Sequence, residues 1–442
     1  MLKTFKIGGV HPAENKITAT KAVVKLPIPK TVTIPVTQHI GAPSKVIVKR
    51  GDVVKTGQII AQSSGFVSTN IHSSVSGKVL KIDTVYDSSG YKKESVVINT
   101  EQDEWDEGVD TSPDLIKHTD LDAKTITNKI LDAGIVGLGG ATFPTHVKLS
   151  PPPGMKAEVL LINGVECEPY LTADHRLMLE RGDELMVGIM LLMKALGVNR
   201  AVIGIERNKP DAIEHLTTLT KNYEGIEICP LKVKYPQGGE KQLIKAITGR
   251  EVPSGALPIA VGAVVNNVGT ALAVYEAVMK NKPLIERIVT VTGKSLSKPS
   301  NFLVRIGTPV KDLIEAAGGL PDDTAKVISG GPMMGKAVAT IDIPVTKGTS
   351  GILILNENEG HRKPVLNCIR CGRCVEVCPM GLEPYFLMTL SEKKVWDKAE
   401  KEQIMDCIEC GSCSFTCPAN RPLLDYIRYG KLTVGGIIRS RK

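Results

Sequence analysis

Apolar and polar residues alternate with period two over Val32–Val36, Ser44–Val48 and Val75–Ile82, and turn residues break the runs between them. Such alternation predicts short, half-buried strands, so residues 1–110 read as a small β domain. From residue 111 the period changes. Ile126, Ile130 and Ala133 fall on one face of a helix over Ala123–Ala133. A strand over Ala157–Ile162 follows, then a helix over Glu184–Leu196 and strands over Ala201–Ile205 and Ile226–Val233. Strands alternating with helices predict a parallel sheet with crossover connections, here across residues 111–283. Residues 284–350 turn β-rich again, with strands over Ile288–Thr292 and Phe302–Ile306, a helix over Val310–Ala317 and a turn cluster at Gly330–Gly335. Gly348–Gly360 reads as a boundary. Beyond it, Tyr385, Phe386, Leu390, Val395 and Ala399 fit packed helices within residues 360–425. Residues 426–442 end in Arg439-Ser-Arg-Lys442 and read as a basic tail that frays.

At 442 residues the chain exceeds one core and divides into several domains. Its 42% hydrophobic and 23% charged residues are globular values, and the 4% of aromatics suits α/β and small β domains. The longest apolar stretch, Leu185–Met193, is far shorter than the ~20 residues of a membrane span. No apolar region follows Met1-Leu-Lys-Thr as a secretory signal requires. A soluble or peripheral protein is therefore expected. The formal charge of +8 suits an acidic electron carrier or an anionic membrane face. No basic run with interleaved aromatics points to nucleic acid.

The cysteines change the picture most. Eight of ten lie in two runs, Cys368-x2-Cys371-x2-Cys374-x3-Cys378-Pro379 and Cys407-x2-Cys410-x2-Cys413-x3-Cys417-Pro418. This is the bacterial ferredoxin spacing for [4Fe–4S] clusters, in which the fourth Cys of each run ligates the other cluster. One cluster is expected on Cys368, Cys371, Cys374 and Cys417, the other on Cys407, Cys410, Cys413 and Cys378. Zinc sites use two pairs per ion and no third Cys at this spacing. The concentration of thiols implies a reducing compartment. Cys167 and Cys229 remain outside the runs, Cys229 as a small buried apolar residue.

A second constellation is spread through the α/β region. Gly137-x-Gly139-Gly140-Ala-x-Phe143-Pro-Thr, then Lys148, Asn163-x-x-Glu166-x-Glu168-Pro, Gly238-Gly239-Glu240 and Asn266-Asn267-Val268-x-Thr270 occur in this order. Glycines let backbone N–H groups approach a phosphate closely. The set resembles the NADH- and FMN-binding flavoprotein subunit of respiratory complex I over roughly residues 130–275. That resemblance implies FMN cradled by Gly137, Gly139, Gly140 and Phe143, with Lys148 near its phosphate or ribityl chain. It implies Asn163, Glu166, Glu168 and Glu240 toward the flavin and nicotinamide, and Asn266, Asn267 and Thr270 at the phosphate end. Leu138, Val165 and Lys241 depart from the family, which has a base, an acid and a second Glu there.

Val48–Ala61 and His72–Leu80 resemble the two halves of barrel-sandwich lipoyl and biotinyl carriers. The link Gln62–Ile71 has no Lys to carry a prosthetic group, so this domain is expected to pack or dock. Residues 286–345 resemble the soluble-ligand-binding β-grasp domain of complex I subunits. The whole order is a barrel-sandwich hybrid, a Rossmann-like FMN-binding α/β domain, a β-grasp domain and a helical two-[4Fe–4S] ferredoxin module. It resembles the RnfC family, found in the Rnf ion-translocating oxidoreductases, over nearly the whole chain. The resemblance implies a peripheral, cytoplasmic-side subunit of a cell-membrane complex, partnered by the other subunits and, through them, by ferredoxin. It implies hydride exchange between NAD(H) and FMN and single-electron passage through the clusters. A cobalamin reductase of a microcompartment shares this architecture, and a non-catalytic iron–sulfur relay is the reading of another class.

Overall fold

The computed structural model of the protein describes residues 2–441. Four bodies follow one another, tied together by a long N-terminal segment. The α/β body is built on four parallel strands in the order Ile226–Leu231, Ala201–Glu206, Val159–Asn163, Ala263–Asn267. The two central strands are buried at nearly every position, as a parallel sheet covered on both faces requires. One face carries the helices Gly182–Leu196 and Val268–Lys280, packed through Leu185, Ile189, Leu192, Val274 and Tyr275. The other carries Glu240–Thr248 through Leu243, Ile244 and Ile247. Chain order reverses between Val159–Asn163 and Ala263–Asn267, and ligands of open α/β sheets bind outside the strand ends at such a switch point. Register sets Asn267 beside Asn163 there.

The barrel-sandwich body pairs Thr31–Pro35, Lys92–Thr100, Gly77–Tyr86 and Val53–Val54 in one sheet and Lys45–Val46, Ile59–Gln62 and Ile71–His72 in the other. Val32, Ile34, Ile60, Ile71, Val79 and Ile98 fill the space between. The β-grasp sheet has six strands, ordered Val23–Lys25, Ser300–Arg305, Glu286–Thr292, Gly351–Asn356, Thr324–Ser329, Lys336–Ala337. Val23–Lys25 thus leaves the region read as the first β domain and lies parallel to Ser300–Arg305. Nearer the start, Lys3 bridges Leu231 and Val10 bridges Tyr235 at the edge of the α/β sheet. The Gly9 N–H reaches the Val377 carbonyl at 2.9 Å. Gly8, at φ +66°, lies where any Cβ would fall 2.5 Å from the backbone of Cys378.

The expected basic tail is instead a helix, Leu423–Ser440. Leu423, Leu424, Ile427 and Val434 form its buried stripe, against Leu387, Leu390 and Ala399 of the neighbouring helices. That stripe carries three to four residue spacings; of the terminal charges Arg439 sits on its last turn and Arg441 caps it, while Lys442 lies outside the described residues. Among the described residues no helix is long and apolar enough to cross a membrane.

Candidate functional site

The glycine loop sits against the end of the strand Ala263–Asn267 and the start of the helix that follows. Thr270 Oγ1 accepts the Leu138 N–H at 3.0 Å and donates to the Val136 carbonyl, while the Gly137 N–H closes the loop onto the Phe143 carbonyl at 2.9 Å. None of Gly137, Gly139 or Gly140 is left-handed; in this loop Thr142, at φ 54°, takes that role. Gly139 is required for space, since a Cβ there would lie 2.7 Å from Asn267 Nδ2. Gly140 meets nothing within 4 Å and leaves an open face.

Asn267 caps the helix, its Oδ1 accepting the Gly269 N–H at 2.8 Å, and its Nδ2 donates to Asp174 Oδ2 at 2.7 Å. Asn266 is buried, and its Nδ2 has no partner. A buried donor without an acceptor is costly, so this amide fits a ligand oxygen. Lys148 Nζ is held by Glu240 Oε1 at 2.8 Å and the Val265 carbonyl at 2.9 Å. Asn163 Nδ2 donates to the Gly238 carbonyl at 2.9 Å. Gly140, Lys148, Asn163, Glu240, Asn266, Asn267 and Thr270 therefore gather on two neighbouring strand ends and the loops beside them. The donors, the open face and the orphaned amide fit a flavin phosphate and ring.

Glu166 and Glu168 lie in other contacts. Glu166, at φ 43°, accepts the N–H groups of Asp174 and His175 at 2.8 and 3.0 Å and so caps the helix Ala173–Glu180. Glu168 accepts the N–H groups of Met333 and Met334 at 3.1 and 2.8 Å, clamping the Gly330–Gly335 turn of the β-grasp body. Burial pushes the Glu168 carboxyl up to about 7 against those two bonds. Of the departures, Leu138 and Val165 are buried apolar residues, and Lys241 is turned outward to the Pro253 carbonyl. Asp174 and Arg287 carry no motif in the sequence. Asp174 is half-buried against Asn267 and Arg287 is buried near Asp174: burial, then Glu166, lifts the Asp174 carboxyl to about 7, and burial lowers the Arg287 guanidinium to about 10 with Asp174 opposing. Their separation in sequence leaves no local signal. A cavity of about 540 Å³ under the N-terminal segment, lined by Lys16, Cys167, Glu206, Arg207 and Tyr235 among others, lies apart from the glycine loop.

The two Cys runs fold alike. Arg370 and Gly372 in the first, and Glu409 and Gly411 in the second, are left-handed at equivalent positions, which winds each loop around its thiols. Cys378, Cys407, Cys410 and Cys413 line one shared apolar cavity. Chiefly burial, and then the neighbouring thiols of this group, push Cys407 and Cys413 up to about 12. Cys374 is raised likewise, by burial first and then by Cys417 and Cys368. Cys378 thus stands with the second run, and Cys417 neighbours Cys374 of the first. Thiols held protonated in this way release protons when metal binds. Among the described residues no three metal-binding side chains converge as on a single ion.

The flavin-type body touches one of these sets. Tyr235 donates its hydroxyl to the Cys410 carbonyl at 2.8 Å. Gln242 Nε2 reaches the Pro379 carbonyl and Met380 Sδ, both at 3.3 Å. Glu240 and Gln242 share the first turn of one helix, so that turn faces the flavin-type site and the second Cys set together.

Comparison with known proteins agrees. The sequence model of the Nuo51 FMN-binding domain matches residues 130–276, the RnfC barrel sandwich hybrid domain residues 3–103, the SLBB domain residues 288–337 and the 4Fe-4S dicluster domain residues 367–421. The chain is 51% identical to the RnfC protein of the proton-translocating ferredoxin:NAD(+) oxidoreductase complex of Clostridium ljungdahlii, over 98% of this chain and 94% of that one. It is 48% identical to the counterpart from the Na(+)-translocating complex of Acetobacterium woodii, over 99% and 98%. It is 42% identical to the counterpart from the ion-translocating oxidoreductase complex of Rhodobacter capsulatus, over 97% and 83%. Among solved structures, a chain of an NAD+-reducing [NiFe]-hydrogenase in the H2-reduced state aligns with TM-score 0.50 at 20% identity, over 71% of this chain and 62% of that one. That likeness concerns the fold.

Proposed function

Because the chain belongs to the RnfC family of ion-translocating ferredoxin:NAD(+) oxidoreductase complexes, we propose that it passes electrons between NAD(H) and its complex through FMN on the Gly137–Gly140 loop and two [4Fe–4S] clusters on the crossed Cys sets. One observation carries this reading: the turn Glu240–Gln242 meets Lys148 at the flavin-type site and Pro379, next to Cys378, on the other side. Gly140 would lie against the bound group, Lys148 and the Asn266 amide would hold its oxygens, and Asn163 and Glu240 would border the ring. FMN bound there supplies the conversion between two-electron hydride chemistry and one-electron cluster chemistry. The chain's own part is placement. Thr270 and Asn267 fix the loop, and Asp174 fixes Asn267 from behind. Glu166 and Glu168 act at one remove, by setting the Ala173–Glu180 helix and the β-grasp turn.

We read four units in the chain: 1–110, 111–283, 284–350 and a ferredoxin unit from 360 that runs past the expected end at 425 to take in the helix Leu423–Ser440, with the N-terminal segment lying across the last three. We further read attachment to the cytoplasmic face of the cell membrane through partner subunits. An anaerobic preparation should carry flavin and about eight iron atoms, and NADH should bleach the flavin bands. A preparation with full iron and stoichiometric flavin that NADH leaves unbleached would overturn the reading.

A further inference from the structure

The two Cys sets differ in where they face. Cys378, Cys410 and Cys413 are buried, whereas Cys368 and Cys371 are exposed. Hydrogen bonds from the flavin-type body and the N-terminal segment reach the ferredoxin module at Val377, Pro379, Met380, Asp406 and Cys410. The Met333 carbonyl of the β-grasp turn also closes over Gly411. Among the described residues nothing of the other bodies covers the loop before Cys374. All residues from 361 to 373 are exposed. This run holds Arg362, Lys363, Arg370 and Arg373, no acid, and the apolar side chains Val365, Leu366 and Ile369, which are 55%, 57% and 69% exposed. Arg362 is paired with Asp425; among the described residues Lys363, Arg370 and Arg373 pair with no carboxylate.

The second Cys run is an internal control. Where the exposed copy has Arg370 and Arg373, the inward copy has Glu409 and Ser412. Glu409 is tied to Arg428 and Lys431, and Ser412 is buried. Both copies place their left-handed residues at the same two positions, so this loop path does not demand the arginines. They belong to the outward face alone, and so do three apolar side chains that nothing among the described residues covers. Apolar area ringed by one sign of charge is the build of a protein docking surface, in which charge steers the encounter and apolar contact holds it.

We propose that residues 361–373 form the port at which electrons enter or leave the chain, by docking a redox protein whose own exposed cofactor is ringed by acidic side chains. The inward set of Cys378, Cys407, Cys410 and Cys413 then lies between the flavin-type site and the outward set of Cys368, Cys371, Cys374 and Cys417. One electron crossing the port reduces one partner by the electron the other loses, and no bond forms or breaks. An acidic protein fits better than a lipid surface, because the exposed face carries the ligands themselves, and hydrocarbon would separate them from any acceptor. The proposal rests on the electron-transfer reading above.

The test uses the full, cluster-loaded chain with three probes: free in buffer, bound to membranes that hold the remaining subunits of the complex but lack this chain, and mixed with protein-free vesicles rich in phosphatidylglycerol. Hydrogen exchange of residues 361–373 should slow on the subunit-bearing membranes and stay unchanged with vesicles. A combined Lys363→Glu, Arg370→Glu, Arg373→Glu variant should keep its iron and its NADH-to-ferricyanide activity, yet bind those membranes at least tenfold more weakly at low salt. Exchange that is equally fast free and bound overturns the port. Protection with undiminished affinity of the variant overturns the acidic partner, and protection by vesicles alone assigns the loop to lipid. Failure of NADH oxidation in the wild-type chain would instead sink the electron-transfer reading, since that assay does not use the loop.

Discussion

The hydroxyl of Tyr235 donates to the main-chain carbonyl of Cys410 at 2.8 Å, inside a contact that also holds Val10 and Met333. It is a neutral donor, because burial first and then Glu168 push the phenol well above its ordinary range. Tyr235→Phe keeps the ring and deletes the donor. It should cost about 1–2 kcal/mol of stability by leaving a buried carbonyl unpaired, and it should shift the potential of the inward cluster alone. Potentiometric titration followed by electron paramagnetic resonance separates the two clusters, and equal movement of both would refute the assignment.

The crossed ligand sets give a second expectation. Cys417→Ala should remove iron from the cluster on Cys368, Cys371 and Cys374, and Cys378→Ala from the one on Cys407, Cys410 and Cys413. Each variant should retain about four of about eight iron atoms. If Cys417→Ala spared the first run and emptied the second, ligation would be local and the pairing wrong.

Two adjacent glycines should behave differently. Gly139→Val places its Cβ within 2.7 Å of Asn267 Nδ2. Asn267 must then give up its cap and its bond to Asp174, and a lost cap costs about 1 kcal/mol. FMN should be lost and the protein destabilised. Gly140→Ala meets nothing, so the melting temperature should hold while flavin affinity falls at least several-fold. Unchanged flavin affinity in Gly140→Ala would move the flavin elsewhere.

Stability should depend on pH through two buried acids. Burial raises both Glu168 and Glu206 from 4.5 to about 7. An acid raised in this way binds its proton more tightly folded than unfolded. Its contribution is complete below about 4.5 and is lost as pH climbs through about 7. Glu206→Gln retains an acceptor for the Lys234 N–H at the same place but cannot titrate. Its denaturant midpoint should fall less between pH 5 and pH 8 than that of the unaltered protein; parallel curves would show that Glu206 ionises normally.

The parts legible in the sequence were those whose signal is local. Cysteine spacing, a glycine loop and the alternation of Val32–Val36 each report on a few consecutive residues, and the structure keeps all three. Val23–Lys25 was not legible, because three residues joining a strand far along the chain, Val23 opposite Asn301, leave no mark on their neighbours. Glu168 illustrates the same limit at a side chain. Its motif places it beside the flavin-type site, but its hydrogen bonds go to a turn of another body. Asp174 and Arg287 are ordinary charges until the fold brings them near each other. The closing helix was masked by its own polar end, although Ile427 and Val434 had the right spacing.

The Gly9–Val377 hydrogen bond has a consequence for how the chain is made. A ribosome adding 5–20 residues per second needs roughly 20–70 s to travel from one partner to the other. Its partners Leu231, Tyr235 and Asn301 are made along the way, but for all of that time the segment lacks its contact with the ferredoxin module. Gly8 then lies against the backbone of Cys378 with no room for a Cβ, so the residues made first cannot be fixed at this end until Cys378 has been made.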